Sequence, residues 1–196
     1  MFPLPGPREA VADLDDADGA ACVVACPPHP RHGGHRGDRR LRAVADACAD
    51  RGVACLRFDY GPWDGGRGEA ADALAAVRWA GDRFDAVGLF GYSFGGSVAA
   101  LAAGAADPGA VAACSLLAPA AAVAADRDPV AAVRRVDGPV QVIVGARDDT
   151  VDAAPVAAAV KARGGAVTEL PADHHFVGQH EAVGERVARF LASRLP

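Results

Sequence analysis

The chain has 196 residues, 51% of them apolar and 23% charged, with a formal net charge of −5. A chain of that length and composition supports one domain, spanning residues 1–196, around a single sizeable core, which excludes a disordered or fibrous protein. The mild acidity leaves no basic footprint for nucleic acid, and no apolar run is long enough to cross a bilayer, so neither nucleic acid nor membrane is an expected partner.

The opening segment MFPLPGPREA lacks the charged, apolar, small-residue order of a secretion signal. The five cysteines, Cys22, Cys26, Cys48, Cys55 and Cys114, are odd in number and embedded in apolar segments, which reads as reduced core residues. Their spacing matches no metal-ligand set, so no metal is expected. Together these features predict a cytoplasmic location.

Taken in order, residues 3–7 form a proline-punctuated lead. Residues 9–14 followed by 15–19 read as a short strand and a turn that returns the chain antiparallel, an edge hairpin. Residues 21–26 (ACVVAC) are a buried strand, stopped by Pro27-Pro28-His29-Pro30, where three of four residues lack an N–H. Residues 38–50 carry Leu41, Val44, Ala45 and Cys48 at helical spacing, with Gly52 as the stop. A strand over 53–58, a glycine-rich loop over 59–68 and an amphipathic helix over 69–80 follow. Residues 85–90 read as a strand, 93–106 as a helix and 111–117 as a strand. Residues 128–136 form a helix with Pro129 in its first turn. The chain ends with a strand over 140–144, a helix over 155–163, a strand over 166–170 and a helix over 181–194. Strands apolar on both faces alternate with helices throughout. That order predicts a doubly wound α/β fold, a mostly parallel sheet flanked by helices, with ligands bound at the loops that follow the strands.

The stretch most in need of explanation is 87–99, VGLFGYSFGGSVA, which contains Gly91-Tyr92-Ser93-Phe94-Gly95. Gly-x-Ser-x-Gly between a strand and a helix is the pattern of a nucleophile elbow, a sharp turn that holds a serine strained and exposed. Two residues before and after that serine, neighbouring backbone passes so close that only glycine fits. Serine is scarce here, Ser93, Ser97, Ser115 and Ser193 being the full set, so the match is not a by-product of composition. The helix behind it contributes unpaired N–H groups and a positive dipole end, suited to an oxygen that becomes negative.

A serine nucleophile needs a base, and the base an orienting carboxylate. Both stand at predicted strand ends: Gly145-Ala146-Arg147-Asp148-Asp149-Thr150-Val151 after the strand at 140–144, and Ala172-Asp173-His174-His175-Phe176 after the strand at 166–170. Either aspartate and either histidine satisfies the chemistry, and the order Ser, Asp, His is that of an α/β-hydrolase.

On these segments the chain resembles the α/β-hydrolase superfamily, and within it the small, cap-poor, dienelactone-hydrolase-like serine esterases. PPHPRHGG resembles the family's His-Pro-His-Pro-x-x-Gly-Gly loop, and LRFDYGPWDGGRGE its strand and Gly-rich loop. The resemblance implies Asp148 as the acid, with Val151 three residues on, and His174 as the base, because Asp-His-Phe-Phe-x-Gly aligns with residues 173–178. Asp149 is the fallback acid, and His175 falls at an aromatic, packing position. It also implies an oxyanion hole from the backbone N–H groups of Phe94 and His29. Elimination agrees on His29, since Pro27, Pro28 and Pro30 carry no N–H. Pro27 departs from the family by replacing the loop's first histidine. Arg31, His32, Tyr60, Trp63 and Tyr92 lie on loops of the same edge, where substrate contact and plain packing are equally good readings.

The expected protein is therefore a serine hydrolase of small carboxylic esters or thioesters that works without a cofactor. A binding module that keeps the fold, and a peptidase or acyltransferase using the same residues, are the alternatives. The filled serine, acid and histidine positions favour an enzyme. Residues 118–139 leave room for one helix and none for a lid, so short, water-soluble acyl groups are expected.

Overall fold

The computed structural model describes residues 1–15, 19–124 and 126–196. The strands are β1 (Phe2–Pro3), β2 (Val11–Asp15), β3 (Ala21–Cys26), β4 (Ala54–Asp59), β5 (Ala86–Tyr92), β6 (Ala113–Leu117), β7 (Val140–Gly145) and β8 (Ala166–Leu170). The helices are α1 (Arg39–Ala49), α2 (Arg67–Gly81), α3 (Phe94–Ala103), α4 (Pro129–Arg135), α5 (Ala154–Ala162) and α6 (His180–Ala192). Among the described residues the strands form one eight-stranded sheet in the order β1-β2-β4-β3-β5-β6-β7-β8. β1 and β2 run antiparallel to their neighbours and the rest are parallel. This is the α/β architecture that the alternation of elements predicts.

The sheet is central because its strands are apolar on both faces. In β3, Cys22, Val24 and Cys26 face one core, while Ala21, Val23 and Ala25 face the other, and all six residues are buried. The period of two along a strand makes this division unavoidable. α1 and α6 cover one face, with Leu41, Val44 and Cys48 against Val183, Val187 and Leu191. α2, α3, α4 and α5 cover the other. Each fully buried Leu or Val in these layers stabilises the fold by about 1.5–3 kcal/mol. All five cysteines are buried and free. Burial pushes the thiols of Cys22, Cys48 and Cys114 up to about 12 and holds those of Cys26 and Cys55 well above the ordinary thiol range. As packed, neutral thiols they offer no rival nucleophile.

The structure corrects two expectations. The strand at 11–15 does not return onto β3; it pairs antiparallel with β4, and the edge hairpin is made instead by β1 and β2. β3 has no free edge for β2, because both its edges are taken by the parallel strands β4 and β5. The turn expected at 15–19 falls largely on residues 16–18, outside the described residues. β8 is not apolar on both faces: it is the far edge, largely exposed, with Val167 open to solvent. A short 3₁₀ turn at Pro30–His32 also interrupts the loop after β3.

Residues 118–124 and 126–139 form turns and the seven-residue α4, with no layer inserted over the sheet edge. Among the described residues no helix is long and apolar enough to cross a membrane.

Candidate active site

The carboxyl ends of β3, β5, β7 and β8 open onto one edge of the sheet, and the loops leaving them carry every expected site residue. At the end of β5 the backbone turns sharply into α3. Ser93, between them, has φ 56 and ψ −123, a left-handed conformation costing a non-glycine residue about 1–3 kcal/mol. The turn closes because its flanks are glycine: a Cβ on Gly91 would run into the Gly95 carbonyl, and one on Gly95 into the carbonyl oxygens of Cys26 and Pro27. The Ser93 N–H is held by the Leu117 carbonyl at 2.8 Å, continuing the ladder to β6 past the end of the strand.

His174 lies in the loop after β8, only 4% exposed. Its Nε2 is 2.9 Å from Ser93 Oγ and its Nδ1 is 2.8 Å from Asp148 Oδ2. An ionised carboxylate only accepts, so Nδ1 carries the hydrogen, which leaves Nε2 to accept from the serine hydroxyl. Asp148 uses both oxygens: Oδ1 accepts the N–H groups of Thr150 at 3.0 Å and Val151 at 3.2 Å. The loops bearing Asp148 and His174 are joined by backbone, the Ala146 N–H donating to Leu170 and the Arg147 N–H to Ala172.

The neighbouring alternatives are placed elsewhere. Asp149 is exposed, and no side-chain bond to it occurs among the described residues. His175 is exposed too, its ring edge-on to that of His174 at 5.5 Å. It is not the packing residue that the aligned pattern implied; Phe176 is the fully buried one, with φ 51.

Tyr92 is a buried brace, a part that its sequence position did not reveal. Its hydroxyl donates to the backbone carbonyl of His174 at 3.0 Å, tying the residue before the serine to the histidine itself. Arg40 lies over the Tyr92 ring at 4.2 Å and donates to the His175 carbonyl at 3.2 Å, while Asp38 holds its guanidinium. Burial pushes the Tyr92 phenol up to about 12, so it remains a donor at neutral pH. Tyr92 and Arg40 thus hold the two carbonyls that lead into the strained Phe176.

Across from this brace, the N–H groups of Phe94 and His29 donate to no other group among the described residues. The His29 ring packs on Phe94 at 4.8 Å and on Trp63 at 4.5 Å, which makes one aromatic cluster of the two loops. Tyr60 stands behind Phe94 at 5.9 Å and donates to the Pro27 carbonyl, a packing role. Arg31 and His32 are exposed. A cavity of about 650 Å³ between α1 and α6 is lined by none of these residues. No group of three metal-binding side chains occurs among the described residues.

Neither a protein-family model nor a curated protein sequence matches the chain. Solved structures do. An α/β serine hydrolase homologue from Coxiella burnetii shares 25% identity over 97% of this chain and 96% of its own, with a TM-score of 0.82. Est1E from Butyrivibrio proteoclasticus shares 20% over 99% and 98%, with a TM-score of 0.82. XC6422 from Xanthomonas campestris, an α/β serine hydrolase without a lid, shares 24% over 97% and 94%, with a TM-score of 0.74. The chain has the fold of the α/β-hydrolase superfamily, in a small form with no lid among the described residues.

Proposed function

We propose that this chain is a serine hydrolase that cleaves small carboxylic esters, or thioesters, through an acyl-enzyme. The observation that carries the reading is His174, bonded through one ring nitrogen to Ser93 and through the other to Asp148. The α/β serine hydrolases of similar fold support it. In this reading His174 Nε2 takes the proton as Ser93 Oγ attacks the carbonyl, and Asp148 steadies the imidazolium that results. The N–H groups of Phe94 and His29 receive the oxyanion, and the positive end of α3 adds to their field. His174 then returns the proton to the leaving alkoxide, and water repeats the sequence to release the acid. Each step uses only this chain's side chains and backbone and water, so the proposed reaction needs no cofactor. Ester and thioester suit the site because their leaving groups need less protonation than an amine does.

A fluorophosphonate probe should label wild-type protein at Ser93, while Ser93→Ala should lose both labelling and ester hydrolysis. Full activity in that variant would refute the mechanism. With no lid among the described residues to build a long acyl groove, rates on p-nitrophenyl esters should fall from butyrate to palmitate. A steady rise along that series, or a jump in rate on emulsified triglyceride, would show that the short-acyl reading is wrong.

A further inference from the structure

Trp63 is an exposed aromatic on a loop whose backbone is hydrogen-bonded to buried side chains. The indole is 36% exposed, and its ring lies 4.5 Å from that of His29 and 5.6 Å from that of Phe94. These are the two residues assigned above to the oxyanion. The loop beneath it is held by two buried carboxylates of α2. Glu69, fully buried, accepts the N–H groups of Asp64 at 2.8 Å and Gly66 at 2.7 Å. Asp72, 3% exposed, accepts the Gly61 N–H at 3.0 Å and Arg8 Nε at 2.9 Å, and Arg8 in turn donates to the Pro62 carbonyl.

A carboxylate taken out of water is destabilising unless paired and hydrogen-bonded, and here two of them are committed to the backbone on either side of one surface tryptophan. Fixing an exposed apolar ring brings the fold itself little. It does help a partner that stacks on the ring, because the ordering entropy is already spent. On its other side the His29 ring stacks on His32 at 4.4 Å, continuing the row of flat surfaces. Burial, with His32 and Arg31 close by, holds the His29 imidazole below its ordinary range.

The geometry points to Trp63 as an aryl platform: a planar aromatic group next to the ester carbonyl lies on the indole while the carbonyl oxygen meets the His29 and Phe94 N–H groups. This rests on the hydrolase reading and adds the substrate class, aryl esters ahead of aliphatic esters of similar size. The ring can sit on the acyl or the alcohol side, since both flank the carbonyl.

Steady-state kinetics on methyl benzoate, phenyl acetate and methyl butyrate separate the cases for wild type, Trp63→Ala and Trp63→Phe. For Trp63→Ala the loss in kcat/KM on one aryl ester should exceed the loss on methyl butyrate by about two- to tenfold, the range of a single stacked ring. The excess should appear in KM, and Trp63→Phe should recover most of it. Whichever aryl ester responds identifies the side of the carbonyl. Equal losses on all three esters, or none on either aryl ester, would overturn the platform. If wild type cleaves none of them, the hydrolase reading has failed by itself. Titration with benzoate and with phenol, read by tryptophan fluorescence, then decides the platform. Saturable quenching that disappears in Trp63→Phe, where Trp79 remains, supports it; no such quenching refutes it.

Discussion

Replacing His174 with alanine should lower turnover on the order of a thousandfold or more, whereas the same change at His175 should cost less than about tenfold. The two residues are adjacent and chemically identical, so the difference tests placement alone. His174 is enclosed between Ser93 and Asp148 at hydrogen-bond distance from both. His175 faces solvent and lends mainly its backbone carbonyl, to Arg40 and His180. A parallel contrast is expected between Asp148→Asn, which presents the wrong hydrogen-bonding atom to the imidazole, and Asp149→Asn, which touches nothing in the site. Purified variants assayed on one p-nitrophenyl ester suffice. A larger loss at His175 than at His174 would move the base by one residue and break the assignment.

The second large effect is on folding. Gly95→Ala should destabilise the protein by more than about 3 kcal/mol, the upper end for an overpacked site, and lower the melting temperature by on the order of 10 °C. The added methyl would collide with two backbone carbonyls, those of Cys26 and Pro27, which cannot swing aside as a side chain does. Gly96→Ala is the control: its Cβ would meet Gly91 O and Pro119 Cβ at 3.2 Å, tight but tolerable with small shifts. It should lose no more than about 1 kcal/mol. Thermal and urea melts compare the two, and equal stability would show that the turn relaxes. Because the obstructing carbonyls begin the loop that carries His29, whatever Gly95→Ala protein survives should also hydrolyse poorly.

How much could be read beforehand depends on whether a feature is written locally. The elbow is such a feature: strand, Gly-x-Ser-x-Gly and helix occupy thirteen adjacent residues, and each glycine has a steric cause nearby. The strands at 21–26 and 166–170 match the structure at both ends, because prolines or glycines bound them. Pairing partners are another matter. Nothing in Val11–Asp15 says that it joins β4 rather than β3, since that choice is made by which central strands have a free edge. Nor does an amphipathic pattern disclose that Glu69 and Asp72 point inward; on a helix with alternating polarity they read as solvated acids. Tyr92 was equally opaque, since a tyrosine beside a nucleophile looks the same in sequence whether it packs, binds or braces. Its partner Arg40 lies 52 positions away and meets it only after the sheet has formed.

The five buried thiols have a consequence for handling as well as for packing. Folded, the protein shields its own sulfur: each cysteine is inside the core, and burial suppresses the thiolate through which oxidation begins. Opened by heat or denaturant in air, the chain presents all five at once, and an odd number cannot be paired off within one molecule. The thiol left over is free to couple one chain to another, so unfolding that is reversible under reductant becomes one-way without it. Recovery after a melt is thereby set by the redox potential of the buffer as much as by the stability of the fold.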